Sequence, residues 1–175
     1  MKIVLPHIVS ESQSAFLFRR LITDNVLVAF ETLHYLKRKT QGKLGYMALK
    51  LDMSKAYDRV EWKSLEKVTI HLGFLGSFVS TIMSCIKSIS YVVLFNGELV
   101  GHIKPTRGLR QGNPLSPYMF LLCAIGLQRH LHKAESEGAI RGVSICRNGP
   151  RVSHIFSADD SVFFCRAKKH SAKLF

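Results

Sequence analysis

Acidic residues are scarce in this chain of 175 residues, which has 12 Asp and Glu against 25 Lys and Arg and a formal net charge of +13. This balance favours a polyanionic partner, most often nucleic acid, because basic side chains replace the counterions of the phosphates. The alternative is a basic surface that keeps the protein soluble and has no partner. Charge alone leaves both interpretations open.

Closely spaced cysteines are also missing. The chain contains four cysteines, Cys85, Cys123, Cys146 and Cys165. No two of them form a C-x-x-C pair, which argues against a zinc site and is typical of reduced thiols in an intracellular protein.

Long apolar runs are absent as well. The most apolar run, residues 119–127, is far shorter than the roughly 20 residues that span a bilayer. Pro6 interrupts the short apolar run near the amino terminus, so the sequence predicts neither a secretory signal nor a membrane segment. The apolar fraction of 47% is enough for the core of one domain.

Hydrophobic periodicity predicts an α+β domain in which a mostly antiparallel sheet is packed on one face by helices. The predicted order is helix, strand, two helices, hairpin, long helix and hairpin. The segments are residues 23–42, 46–53, 58–73, 77–89, 91–105, 116–138 and 139–167.

The first helix has signals at both ends and one apolar face. Thr23 or Asp24 can cap its start, and Gly42 marks its end. Its apolar face is marked by Val26, Phe30 and Leu33.

Local signals also mark the other elements. Asp58 and Glu61 have the spacing of a capping box, and Gly73 is a stop signal. Asn96-Gly97 is a strong hairpin signal, and Ser116-Pro117 suits the start of the long helix.

Three carboxylates stand out because adjacent like charges are costly. Asp159 and Asp160 are neighbours in a predicted turn, and Asp52 ends a strand on its polar face. Two unit charges 4 Å apart repel by about 1 kcal/mol in water and about 4 kcal/mol at an effective dielectric of 20. Convergence of the three acids would make an oxygen-rich site suited to Mg²⁺. The alternative is ordinary turn chemistry, with Asp52 as a cap.

Four segments resemble the reverse transcriptase of plant LINE-type (non-LTR) retrotransposons. They are SQSAFLFRRLITDNVLVAFETLHYLKRK, GYMALKLDMSKAYDRVEW, KPTRGLRQGNPLSPYMFLLCAIGL and SHIFSADDSVFFCRA. The resemblance implies that residues 1–175 form a single partial reverse transcriptase domain, a polymerase palm with residual fingers. It also implies that the early finger strands, the thumb and an endonuclease domain are missing.

The resemblance implies a metal-binding role for Asp52, Asp159 and Asp160. Asp159 matches the firmer ligand, whereas Asp160 either assists or shapes the turn. Tyr57 matches the aromatic residue that crowds the sugar 2′ position and favours deoxynucleotides; its alternative is a core aromatic near a helix start.

A second set of matches implies contacts with nucleotide and nucleic acid. Gln111 and Gly112, with Arg110, match the block beside the incoming nucleotide and the template. Lys104 and Arg107 lie in the same basic stretch and are candidates for phosphate contacts; the alternative is a solvated polar loop.

The implied activity is that of an RNA-directed DNA polymerase. A primer 3′-hydroxyl would attack the α-phosphate of a deoxynucleoside triphosphate (dNTP) and release pyrophosphate, with two Mg²⁺ ions, or Mn²⁺ in their place. The implied partners are an RNA template, a DNA primer, dNTPs and the remaining parts of the polyprotein, in the nucleus or cytoplasm. Two alternatives are a catalytically silent remnant that binds nucleic acid by charge, and a two-metal nuclease.

The chain departs from the family pattern at three places. Ser157 stands where family members usually have Phe, which removes packing beside the Asp-Asp turn. Asn113 replaces an Asp, with a mild expected effect. Phe18-Arg19 replaces Pro-Gly, which is expected to strain a turn that glycine allowed.

Overall fold

The computed structural model describes residues 3–39 and 45–167, and five α-helices and seven strands lie within these ranges. The helices are α1 Leu5–Ile8, α2 Ile22–Arg38, α3 Trp62–His71, α4 Gly76–Lys87 and α5 Ser116–Ser136. The strands are β1 Tyr46–Asp52, β2 Tyr91–Phe95, β3 Glu98–Ile103, β4 Val143–Ser144, β5 Arg151–Val152, β6 His154–Ser157 and β7 Asp160–Arg166. A 3₁₀ turn covers Tyr57–Arg59.

The chain divides into two compact units. Of the described residues, those up to 54 and from 124 onward form the first, which we call the sheet unit, and residues 55–123 form the second, which we call the helical unit. The helix α5 contributes its start to the helical unit and its remainder to the sheet unit.

The sheet unit is built on three antiparallel strands in the order β1-β7-β6. Successive side chains of a strand point to opposite faces, and residues 155–156 and 162–165 are consecutive apolar residues, so each face has its own core. One face contains Phe156, Phe163 and Cys165, which pack with Leu131 of α5. This burial of apolar area explains why the three strands form one sheet.

The opposite face also receives helix residues. Ile155 and Phe164 are buried there, with Ala29, Tyr35 and Leu36 of α2 against them. The α+β class with an antiparallel sheet is therefore confirmed, and helices cover both faces of the sheet rather than one.

The helical unit has a small core and an exposed hairpin. Two helices, α3 and α4, pack against each other, and their buried side chains include Leu65, Val79 and Met83. The hairpin β2–β3 is exposed along all residues of both strands. Asn96 and Gly97 have φ values of 49° and 85°, so the predicted two-residue turn is confirmed.

The predicted start and apolar face of the first helix were wrong. The helix α2 begins at Ile22 after Leu21, and no side chain caps it. Val26, Phe30 and Leu33 are exposed because the neighbouring stripe of α2 contacts the sheet instead. Gly42, the predicted end, lies outside the described residues.

The predicted capping box was also wrong. Asp58 lies in the 3₁₀ turn, and α3 begins only at Trp62, with Glu61 before it and no side-chain cap. The stop signal is confirmed, because Gly73 follows the end of α3 with a φ of 82°. Within the ranges that the structure describes, no helix combines the length and the hydrophobicity needed to cross a membrane.

Candidate functional site

A row of polar side chains crosses the carboxyl end of β1. In the register of the sheet, Asp52 of β1 is opposite Asp160 of β7, and Asp160 is opposite Ser157 of β6. Residues directly opposite each other in an antiparallel ladder point to the same face, with Cβ atoms about 4.5–5.5 Å apart. Two carboxylates that are 108 positions apart in the chain are thus neighbours at one edge of the sheet unit.

Asp159 lies in the turn rather than in the ladder. Ala158, the residue before it, has a φ of 53°, and the carbonyl of Asp159 accepts a hydrogen bond of 3.4 Å from the Met53 amide. This bond holds the turn against the residue that follows Asp52. The Asp159 side chain itself is exposed.

The three acids do not form a closed metal-binding cluster. Among residues 3–39 and 45–167, no three Asp, Glu, His or Cys side chains are close enough together to hold a metal ion. The register brings Asp52 and Asp160 together, and Asp159 joins them only through its backbone. Two facing carboxylates fit the oxygen preference of a hard divalent cation, and the three-carboxylate site stays a prediction.

Lys50 contacts Asp160, one of the two facing acids. Its Nζ atom is 3.0 Å from Oδ1 of Asp160, an ion pair by distance without the alignment of a hydrogen bond. Both side chains are at least half exposed. The direct polar contact with Asp160 and the charge of that carboxylate raise the pKa of Lys50, and the charge of Asp52 adds to the effect.

Hydrogen bonds from two polar side chains stabilise the backbone around the Asp-Asp turn, and sequence reasoning missed both residues. The Oε1 atom of fully buried Gln13 accepts hydrogen bonds from the amides of Ala15 and Ala158, at 3.0 and 3.3 Å. The Nδ2 atom of Asn25 donates to the carbonyl of Phe156 at 2.8 Å. The only sequence signal was that Gln13 lies in the SQSAF segment of the family resemblance.

A buried histidine lies on the other face of the same hairpin. His154 is next to the rings of His132 and Phe156, and its Nδ1 is 2.8 Å from the Ser153 hydroxyl. Burial lowers the pKa of His154 to about 4, with Glu135 opposing and His132 assisting the shift. His154 is therefore neutral at physiological pH.

The helical unit brings together Tyr57 and the loop that contains Gln111. The amide of Leu109 donates to the carbonyl of Tyr57 at 2.9 Å, and the Tyr57 ring stacks on Phe120 with 5.2 Å between centroids. The indole of Trp62 donates to the carbonyl of Gly108 at 2.7 Å. Sequence reasoning missed both Trp62 and Gly108.

Gly108 is required by this close approach. Its φ is 90°, and a Cβ atom at this position would lie 3.1 Å from the carbonyl oxygen of Asp58. A larger residue would therefore separate the loop from the Tyr57 turn.

The predicted nucleotide-contacting loop surrounds an open hollow of about 400 Å³, lined by Arg110, Gln111, Gly112, Asn113 and Pro114. Gly112 has a φ of 81°, so glycine suits the turn. Arg110 and Lys104 are exposed, whereas Arg107 lies 3.5 Å from Glu61 in an exposed ion pair. Such an exposed ion pair is weak, and phosphate contact by Arg107 stays a prediction.

The three-stranded antiparallel sheet with helix residues on both faces is a palm-like α+β fold. The model of the family described as reverse transcriptase (RNA-dependent DNA polymerase) matches residues 1–175. The chain therefore belongs to the reverse transcriptase family, and the resemblance seen in its sequence is confirmed.

Relatives include proteins of mobile elements. The chain is 43% identical over 68 residues to an uncharacterized mitochondrial protein of Arabidopsis thaliana, an alignment that covers 39% of this chain and 56% of that protein. It is 32% identical over 122 residues to the uncharacterized 149 kDa protein of transposon TX1 of Xenopus laevis, covering 70% and 9%. A Pol polyprotein of the type-1 retrotransposable element R2 of Nasonia vitripennis is 26% identical, covering 90% and 14%. The chain thus spans little more than half of the first relative and a small part of the others.

Solved structures with the same fold include two structures of a telomerase. The telomerase of Candida tropicalis in complex with a fragment of telomeric RNA superposes with a TM-score of 0.68 at 13% identity, covering 98% of this chain and 28% of that one. An apo form truncated at its C-terminal domain gives a TM-score of 0.63 at 16% identity, covering 98% and 34%. These similarities show the shared fold.

Proposed function

We propose that this chain is a partial reverse transcriptase domain that carries the catalytic acids of an RNA-directed DNA polymerase. The observation that carries this proposal is the register that sets Asp52 directly opposite Asp160, beside the turn that contains Asp159. The proposed reaction is attack of a primer 3′-hydroxyl on the α-phosphate of a dNTP, with an RNA template and release of pyrophosphate.

Asp52, Asp159 and Asp160, which we call the acidic edge of the sheet unit, are the proposed site for two divalent cations, Mg²⁺ or Mn²⁺. Asp52, Asp159 and Asp160 would hold them through carboxylate oxygens. Ions bound there would activate the attacking oxygen and stabilise the leaving oxygen. The family pattern supports Asp159 as a ligand, and the strand register supports Asp52 and Asp160.

The helical unit is the proposed source of contacts with the nucleotide and the nucleic acid. Tyr57 would crowd the 2′ position of the sugar, and Gln111 and Gly112 would contact the incoming nucleotide. Lys104 and Arg110 would contact phosphates, which agrees with their exposure and with the net charge of +13. Arg107 would first have to leave Glu61.

The wider setting is also a proposal. The chain would work together with other parts of a retrotransposon polyprotein, in the nucleus or cytoplasm. On its own it is expected to extend a primer poorly, because the long relatives contain much more sequence than the part it matches.

Primer extension in a completed protein tests the catalytic proposal. The chain would replace its matching segment in the R2 polyprotein of Nasonia vitripennis, and extension of a DNA primer on RNA would be measured. Asp52→Asn should lower extension at least about 100-fold, because it removes a proposed metal ligand. Glu137→Gln, which removes an exposed carboxylate of the same unit, should leave extension nearly unchanged. Equal extension by the Asp52→Asn protein would contradict the proposal.

A catalytically silent remnant is the second candidate, and Ser157 favours it. This residue lies next to Asp160 in the ladder, where family members usually have Phe. If the chimaera extends no primer, Ser157→Phe distinguishes the candidates: restored extension supports a polymerase origin with one damaging change. A protein that stays inactive yet binds RNA with strong salt dependence supports the remnant.

A further inference from the structure

The acidic edge of the sheet unit already contains a cation of its own. Asp52 and Asp160 are directly opposite in the ladder, and like charges in that position destabilise an antiparallel pair. Lys50 precedes Asp52 by two residues, so its side chain lies on the same face of the sheet. It is a diagonal neighbour of Asp160 across the strands, within reach of a long side chain.

The ammonium group of Lys50 covers one carboxylate oxygen of Asp160. Lys50 Nζ lies 3.0 Å from Oδ1 of Asp160, and that oxygen has essentially no exposed surface although the Asp160 side chain as a whole is half exposed. A divalent cation needs the same oxygen lone pairs that face this ammonium group. The ammonium and the metal ion therefore compete for Asp160.

We propose that Lys50 is an internal counter-ion of the acidic edge, which neutralises Asp160 in the metal-free chain and must leave before a divalent cation binds. This inference rests on the proposed metal site and adds a residue that sets its affinity. Lys50 is a positioning residue: its charge offsets the repulsion between the two carboxylates that the strand register sets opposite each other. The exposed path of its side chain allows the ammonium group to turn away into solvent.

The other basic groups of the unit provide a matched comparison. Lys133 of α5 is also exposed and lies 3.8 Å from Glu137, one turn along the same helix. The substitutions Lys50→Met and Lys133→Met remove one positive charge and one exposed ion pair each. Only the first frees an acid of the proposed metal site.

Direct Mn²⁺ binding to the 175-residue chain tests the proposal. Titrations with Mn²⁺ would be followed by the relaxation of water protons or by the electron paramagnetic resonance signal of free Mn²⁺, with no polymerase assay involved. Lys50→Met should bind Mn²⁺ about two- to fivefold more tightly than the wild type, the range expected for loss of one exposed ion pair. Lys133→Met should differ from the wild type by less than that, and Lys50→Arg should keep the lower affinity.

The folding of each variant is checked by circular dichroism, and Lys50→Thr provides a second, strand-compatible substitution that should also tighten binding. Unchanged or weaker Mn²⁺ binding by both Lys50→Met and Lys50→Thr, while binding still depends on Asp52, would overturn the counter-ion role and leave the metal site standing. Mn²⁺ binding that is the same in Asp52→Asn as in the wild type would overturn both.

Discussion

The two longer hairpins of this protein have the same local design and opposite surroundings. The hairpin β6–β7 is joined by β1, is covered by helix residues on both faces, and carries Asp159 and Asp160 at its turn. The hairpin β2–β3 has Asn-Gly at its turn, the stronger hairpin signal of the two. Eight of its large apolar side chains are nevertheless 40% to 75% exposed. A turn sequence therefore specifies strand pairing, whereas burial depends on a third strand and on helices from distant parts of the chain.

The largest expected difference between the hairpins concerns phenylalanine truncation. Phe164→Ala in β7 should destabilise the protein by about 3–5 kcal/mol, because Phe164 is fully buried. Phe95→Ala in β2 should change the free energy of unfolding by about 0.5 kcal/mol or less, because that side chain is 65% exposed. Urea unfolding measures both, and similar losses would show that the β2–β3 hairpin is buried in solution.

Lowering the pH should also distinguish the hairpins, through a smaller change in the free energy of unfolding than the phenylalanine truncation causes. His154 has a folded-state pKa of about 4, below its unfolded value of 6.5, so the unfolded chain takes up the proton first as the pH falls. Stability that is complete above pH 6.5 should decrease by about 3 kcal/mol as the pH approaches 4. The free energy of unfolding, measured as a function of pH, should no longer show this decrease in His154→Gln. It should still show it in His102→Gln, which changes an exposed residue of β3. An unchanged profile in His154→Gln would contradict the assignment.

The smallest expected difference in stability comes from substitutions in the turns of the two hairpins. Ala158 has a φ of 53° without being glycine, so Ala158→Gly should stabilise β6–β7 by about 0.5 kcal/mol, the relief of strain less the added chain entropy. Gly97→Ala at a φ of 85° should destabilise β2–β3 by about 1 kcal/mol. Amide hydrogen exchange of each hairpin measures these changes, and effects of the same sign would contradict the backbone argument.

Local features of this fold could be predicted from sequence, and long-range ones could not. Asn96-Gly97 and Gly73 were predicted correctly because each acts through its own backbone conformation. The exposed face of α2 was mistaken for a buried one, since an apolar stripe does not say which neighbour it contacts. Gln13 was missed because its partner Ala158 is 145 residues away.

The candidate site shows the same division between local features, which could be predicted, and long-range features, which could not. Sequence identified Asp52, Asp159 and Asp160 as a set, because the residue types and the family pattern can be seen in the amino-acid sequence alone. It did not predict that Asp160 would be opposite Asp52 or that Lys50 would contact it, because both facts depend on the register between β1 and β7.

The pairing of β1 with β7 has a consequence for the order of folding. The strands β6 and β7 are adjacent in sequence and can pair as soon as their turn forms, whereas β1 must wait for a partner more than 100 residues later. Closing so large a loop is slow, and during synthesis the apolar side chains of β1 stay uncovered until β7 has left the ribosome. The nascent chain is therefore expected to be most prone to aggregation through β1.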